Sequence, residues 1–172
     1  MVSRTWVVGN EGRSGDREVA MSVSLEAVRA RKLAVVRREV AAGGVGAAWG
    51  PAIDQVWDFI REQAELWSGG HNVFVYHQAP DQPNAPVVCD FGVEVTRTFD
   101  TAGEVHATET PSGEAAVCVH RGAYDQMGDA YEAIDRWMAA NGRESAGCTW
   151  EIYGDPTPDP ADTETVVVRL LK

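Results

Sequence analysis

Apolar positions change period several times along this chain, and each change marks an element. Arg31 to Val40 contains the run Leu33-Ala34-Val35-Val36 and reads as a strand. A Gly-rich loop follows, from Ala41 to Gly50. From Pro51, the residues Ile53, Val56, Trp57, Ile60, Ala64 and Trp67 recur at helical spacing, and Gly69-Gly70 supplies the stop. Pro51 suits a first helical turn, where its missing N–H costs nothing. Strands follow at Val73-Phe74-Val75-Tyr76 and, past a loop with Pro80, Pro83 and Pro86, at Phe91-Gly92-Val93-Glu94-Val95. The same order then returns. Ala115 to Val119 is a strand. Tyr124 to Asn141 is a helix with the stripe Met127, Tyr131, Ile134, Trp137 and Met138, capped by Gly142. Trp150 to Tyr153 and Thr165 to Leu170 are strands on either side of an acidic, Pro-containing loop.

The chain thus reads strand–helix–strand–strand, twice, at an offset of about 76 residues. One such unit has a single helix stripe and three strands, too little to bury a core alone. Two units packed together share one. The predicted fold is α+β: an antiparallel sheet with two main helices and a ligand groove at the junction of the units. The units span about residues 22–100 and 111–172, within one domain over 22–172. Residues 1–21 read as an N-terminal extension, irregular around Gly9 to Asp16, with Met21 as an alternative natural start. No helix-turn-helix fits ahead of residue 22, which speaks against a DNA-binding regulator.

The segment Cys148-Thr149-Trp150-Glu151-Ile152-Tyr153-Gly154 carries the sharpest signal. As a strand it puts Cys148, Trp150 and Ile152 on one face, and Thr149, Glu151 and Tyr153 on the other. A carboxylate between aromatic neighbours is costly unless a donor, a cation or a ligand compensates it. The alternative is an edge strand with Glu151 in water. The internal repeat sets Phe74-Val75-Tyr76-His77 against Trp150-Glu151-Ile152-Tyr153, so Glu151 takes the slot of Val75. A duplicated unit that breaks its own symmetry by one charge is where a site is expected.

Charge sharpens the picture. Residues 1–77 hold 9 Lys/Arg and 9 Asp/Glu, while residues 78–172 hold 6 and 17, so the net −11 lies entirely in the second part. Such a balance argues against a nucleic-acid-binding face and favours cationic partners, with solubility alone as the alternative. Hydrophobic content of 44% with 24% charged residues is that of an ordinary globular protein. No apolar run approaches the ~20 residues of a membrane span. Cys89, Cys118 and Cys148 are odd in number and widely spaced, which reads as buried thiols of a cytoplasmic protein rather than zinc ligands or a disulfide framework. His71, His77, His106 and His120 show no ligand spacing, and Gly43-Gly44-Val45-Gly46 does not fit a dinucleotide fingerprint. That stretch reads as a mobile loop at the groove mouth or an inert connector. Neither a metal nor a cofactor is implied.

Three readings of the chemistry stand. The first is binding of bulky, hydrophobic, cationic aromatic molecules. It needs flat apolar walls and one negative charge, because aromatic faces attract cations. Glu151 supplies the charge. Tyr153, Trp137, Tyr124, Trp49, Trp57, Phe91 and Tyr76 are the candidate walls, with plain core packing as the alternative for each. The second is an enzyme, with Glu151 activating a water and Tyr153 orienting a substrate. The third is an interaction protein whose acidic second part mimics DNA charge. The carboxylates are scattered rather than contiguous, which weighs against it.

His120-Arg121-Gly122-Ala123-Tyr124, the helix with Gly128-Asp129-Ala130-Tyr131 and Trp137, and Trp150-Glu151-Ile152-Tyr153 followed by Asp155-Pro156 occur in an order that resembles the GyrI-like small-molecule-binding domain family. The opening strand, Arg31 to Arg38, is similar to that family's first strand, and the resemblance covers about residues 22–172. It implies two strand–helix–strand–strand modules related by a pseudo-twofold. It also implies a buried Glu on the last module as countercharge for a cationic aromatic ligand, here Glu151, with Tyr153 two residues on. The family includes gyrase-inhibitory proteins, effector-binding domains of AraC-type and MerR-type regulators, and standalone members resembling hydrolases of cyclopropane-bearing natural products. The resemblance thus implies gyrase as the partner in the third reading. Gly122-Ala123-Tyr124 stands where the family often has Gly-Pro-Tyr, which affects turn rigidity alone.

Overall fold

A computed structural model describes residues 21–41, 43–77 and 85–172, apart from the side chain of Ala64. Residues 1–20 of the extension expected over 1–21, and the loop around Pro80 and Pro83, lie outside the described residues.

Among the described residues, eight strands and two α-helices follow one another as β1 (Val23–Val28), β2 (Lys32–Val40), α1 (Val45–Glu62), β3 (Asn72–His77), β4 (Val87–Glu94), β5 (Val105–Glu109), β6 (Gly113–Arg121), α2 (Gly128–Ala140), β7 (Ser145–Tyr153) and β8 (Glu164–Leu171). The strands form one antiparallel sheet in the order β1-β6-β8-β7-β3-β4-β2-β5. That order is the same read from either end: β7 and β3 meet at the centre, and β6, β8 mirror β2, β4. The expected α+β architecture from two repeated halves is therefore present.

Two strands were not foreseen. β1 leads into β2 yet pairs with β6, and β5 leads into β6 yet pairs with β2. Each half hands its leading strand to the other. Both are edge strands, β1 mostly exposed and β5 mostly half-buried with Val105 alone fully inside, so their apolar signal is weak.

α1 also departs from expectation. It begins at Val45, so Pro51 lies inside it rather than in its first turn, and residues 45–50 are helix rather than loop. Pro51 cannot donate to the carbonyl four residues back, but that end of the helix is exposed enough for water to satisfy it. The helix stops at Glu62, and a 3-10 turn over Ala64–Leu66 carries the chain to Trp67.

Both helices pack on one face of the sheet. Ile53, Val56 and Ile60 of α1 cover Ala34, Val36, Phe91 and Val93. Ala130, Ile134 and Met138 of α2 cover Ala116, Cys118 and Val167. Each large aliphatic buried there contributes roughly 1.5–3 kcal/mol of transfer free energy. The opposite face is buried too: Leu33, Val35, Val73, Val75, Val117, Trp150 and Val168 form a second core. Sheet curvature explains this. Only Arg29-Ala30-Arg31 join β1 to β2, and that link reaches at most ~14 Å, whereas six flat strand spacings would separate them by about 29 Å. The sheet must curl, with the helices outside and this second core within. All three cysteines are buried. Among the described residues, no helix is long and apolar enough to cross a membrane.

The inner face ends in a charge cluster. Asp90, 1% exposed, accepts two hydrogen bonds from Arg37, at 2.6 and 2.8 Å, and one from His77 Nε2 at 2.9 Å. Burial alone would raise the Asp90 carboxyl, but the bonds from Arg37 and His77 overcome it and hold the pKa at about 2. The same bond to Asp90, then one to Cys148, lifts His77 to about 9 against the opposing effect of its burial. Asp90 therefore stabilises the fold fully above its unfolded value of 3.8, and that share is lost as pH falls through about 2. The His77 share is full below 6.5 and lost as pH rises through about 9. The two describe one ion pair and are not summed. We expect the stability lost in Asp90→Asn, read by urea unfolding, to be largest between about pH 4 and 6.5 and to shrink at pH 10. A loss independent of pH would show that the pair is not the source.

Candidate functional site

One row of side chains crosses the helix-bearing face: Val36, Phe91, Phe74, Glu151, Val167, Cys118 and Val23, each directly opposite the next. Every member but one is apolar. Glu151 sits at the centre, where the helix layer divides between α1 and α2, and is 3% exposed.

Three tyrosines surround it. Tyr153, two residues on along β7, donates to Oε2 at 2.5 Å. Tyr76, diagonally across on β3, donates to the same oxygen at 2.7 Å. Tyr131, from α2, donates to Oε1 at 2.6 Å. Burial, and then the charge of Glu151, pushes all three phenols far above their ordinary pKa, so they stay protonated donors. Bonds to an ionised acceptor are about twice as strong as neutral ones and offset part of the carboxylate's desolvation. No Lys, Arg or His among the described residues forms an ion pair with Glu151. Among the described residues, its two oxygens are held by tyrosine hydroxyls alone.

Above this network lies a cavity of about 540 Å³. Glu151 does not line it; the phenol rings of Tyr76 and Tyr153 do. α1 contributes Val45, Trp49 and Trp57, β3 adds Asn72 and Phe74, and Trp67, Tyr124 and the turn at Gly154–Pro156 close the rim. The walls brace one another. Phe74 stands 4.8 Å from Tyr153 and 6.2 Å from Trp49, Tyr124 stands 5.5 Å from Tyr153, and Trp57 meets Trp67 edge-on at 5.5 Å. Trp57 Nε1 donates to Asn72 Oδ1 at 3.1 Å, and Trp67 Nε1 to the Gly70 carbonyl at 2.7 Å, so both indoles are fixed in orientation. Asp155, almost fully exposed, adds a second carboxylate at the mouth, 3.6 Å from His71. Large aromatic surfaces over one buried negative charge are suited to holding a flat or globular organic cation.

A sequence profile of the GyrI-like small-molecule-binding domain matches residues 21–170. The chain belongs to the GyrI-like small-molecule-binding domain family. The transcriptional regulator BrlR of Pseudomonas aeruginosa is 29% identical over 126 residues, a match covering 71% of this chain and 46% of BrlR. This chain thus spans about half the length of that relative. The crystal structure of the EcmrR C-terminal domain superposes with a TM-score of 0.68 at 17% identity, over 88% of this chain and 98% of that one. The structure of SAV2435 bound to tetraphenylphosphonium gives 0.63 at 10% identity, over 88% and 94%. Identities this low show a shared fold.

Within this GyrI-like domain, the residues singled out from sequence fall into three groups. Trp49, Trp57, Tyr76, Tyr124 and Tyr153 line the cavity, and Glu151 lies directly beneath it. Phe91 does not line it: fully buried, it packs edge-on beneath Phe74 at 5.0 Å. Trp137 packs with the α2 core. The slot assigned to Val75 also needs correction. Val75 faces the inner core opposite Trp150, so a twofold that keeps faces together matches Glu151 to Phe74 and Tyr153 to Tyr76, one residue beyond the offset read from sequence. Trp67 and Phe74, aromatics read in or beside the core elements, also line the cavity, whereas Asn72 and Tyr131 were not among the candidates. Tyr131 left a usable signal, since a phenol within an apolar helix stripe must find a partner for its hydroxyl. His120 is buried, with Nε2 on the Ala123 carbonyl at 2.9 Å, and plays no part in the cavity.

Proposed function

We propose that this domain binds bulky, hydrophobic, cationic aromatic molecules, as a xenobiotic-binding protein that sequesters them. The observation that carries the reading is Glu151: a buried carboxylate held by three tyrosine hydroxyls, with no cationic partner among the described residues, under an aromatic cavity. Isolated buried charges are unfavourable, and a cation seated in the cavity would complete the pair. Phenols that donate to a carboxylate present electron-richer rings, and each desolvated ring adds about 0.5–2 kcal/mol of cation attraction. SAV2435, of the same fold, has been seen with a compound of this chemistry.

Hydrolysis by a Glu151 base requires a lone pair free to take a proton from water. At 3% exposure, with hydroxyls on both oxygens, Glu151 is better placed to attract than to abstract. The test is calorimetric titration with tetraphenylphosphonium and with its neutral counterpart triphenylphosphine oxide. The cation should bind at least tenfold more tightly, a difference of about 1.4 kcal/mol, and return from the complex chemically unchanged by mass spectrometry. Equal affinity for the two compounds would end the countercharge reading, and a cleaved ligand would restore the enzymatic one.

A further inference from the structure

Arg169 of β8 stands opposite Thr149 of β7, on the same face as Glu151 and diagonal to it. Diagonal neighbours in a sheet lie roughly 7–8 Å apart, which an arginine side chain spans easily. Arg169 nonetheless points elsewhere. Its Nε donates to Thr149 Oγ1 at 3.3 Å, its Nη1 pairs with Asp135 Oδ1, and its guanidinium carbon lies 5.7 Å over the Tyr131 ring. Asp135 follows Tyr131 by one turn of α2, so one helix face presents both groups that hold the guanidinium. Only 16% of the Arg169 side chain is exposed, so it has few other places to go.

An arginine released onto Glu151 would neutralise the charge beneath the cavity. The geometry points to Asp135 as a positioning residue, tethering Arg169 away from Glu151 and thereby setting the cavity's preference for cations over neutral compounds. This inference rests on the binding function proposed above.

The experiment uses Asp135→Asn, Arg169→Gln and the double variant, each titrated with tetraphenylphosphonium and triphenylphosphine oxide. Asp135→Asn should raise the Kd for the cation about tenfold, as expected when a positive charge moves several ångströms closer to the carboxylate, and leave the neutral compound within about twofold. The double variant should bind the cation as Arg169→Gln does. An unchanged Kd in Asp135→Asn, equal weakening of both compounds, or weakening that persists in the double variant would overturn the tether. If the wild-type protein binds neither compound, the binding function falls on its own, and the tether is judged by the crystal structure of Asp135→Asn. A guanidinium on Glu151 would support it; one still on Thr149 and Tyr131 would overturn it.

Discussion

Glu151→Gln is expected to lower the affinity for tetraphenylphosphonium about ten- to a hundredfold and to leave triphenylphosphine oxide almost unaffected. The size follows from Coulomb's law. A cation seated about 6 Å from the carboxylate, at an effective dielectric near 20, gains about 3 kcal/mol, or roughly a hundredfold. The three hydroxyls on Glu151 spread its charge and move the expectation toward the lower figure. Gln is the proper replacement because its carbonyl still accepts from the tyrosines, and their hydroxyls can accept from its amide. Ala would strand three buried phenols, each costing about 1–3 kcal/mol, and would mix a folding defect into the binding result. Thermal unfolding of the Gln variant should therefore stay close to wild type. A variant that folds, and binds the cation as tightly as before, would remove Glu151 from the site.

Trp150→Ala is expected to destabilise the protein by about 3–5 kcal/mol, the range for removing a large aromatic from a packed core. Trp150 is 2% exposed and the largest fully buried side chain. It lies between Val75 and Val168 on the inner face of the curled sheet, where no described helix can settle into the gap. The cavity would be walled by backbone that the hydrogen-bond ladders hold in place, so relaxation is limited. Trp150→Phe should cost less than half as much. Urea unfolding monitored by circular dichroism reads both. A loss under about 1 kcal/mol for Ala would mean that the sheet can close further, and that the inner face is not close-packed.

The alternation in β7 was legible because period-2 patterning separates faces whatever the tertiary context, so Trp150 and Glu151 fell on opposite sides as expected. The helix stripes were legible for the same kind of reason. Other features depend on what is distant in the chain. A Gly-Pro-rich start such as Val45 to Pro51 has poor helix propensity, yet it forms helix here because Trp49 gains an aromatic contact with Phe74. The edge pairings of β1 and β5 are set by partners about 90 and 70 residues away, which no local pattern encodes. Matching Glu151 to Val75 failed because an offset read from loosely aligned segments carries an error of one residue, and in a strand one residue is the whole difference between two faces.

The central pairing of Phe74 with Glu151 bears on how such a protein could arise. Two halves that exchange leading strands have the form of a dimer written into a single chain. In an actual dimer of identical halves, residues facing each other across the axis must be the same. A glutamate there would meet a second glutamate roughly 4.5–5.5 Å away, and two buried like charges could not both stay ionised. Identical halves can offer a ligand two competing carboxylates or none. Joining them in one gene lets the axis position differ between copies, leaving a single charge on the line of symmetry with Phe74 as its neighbour.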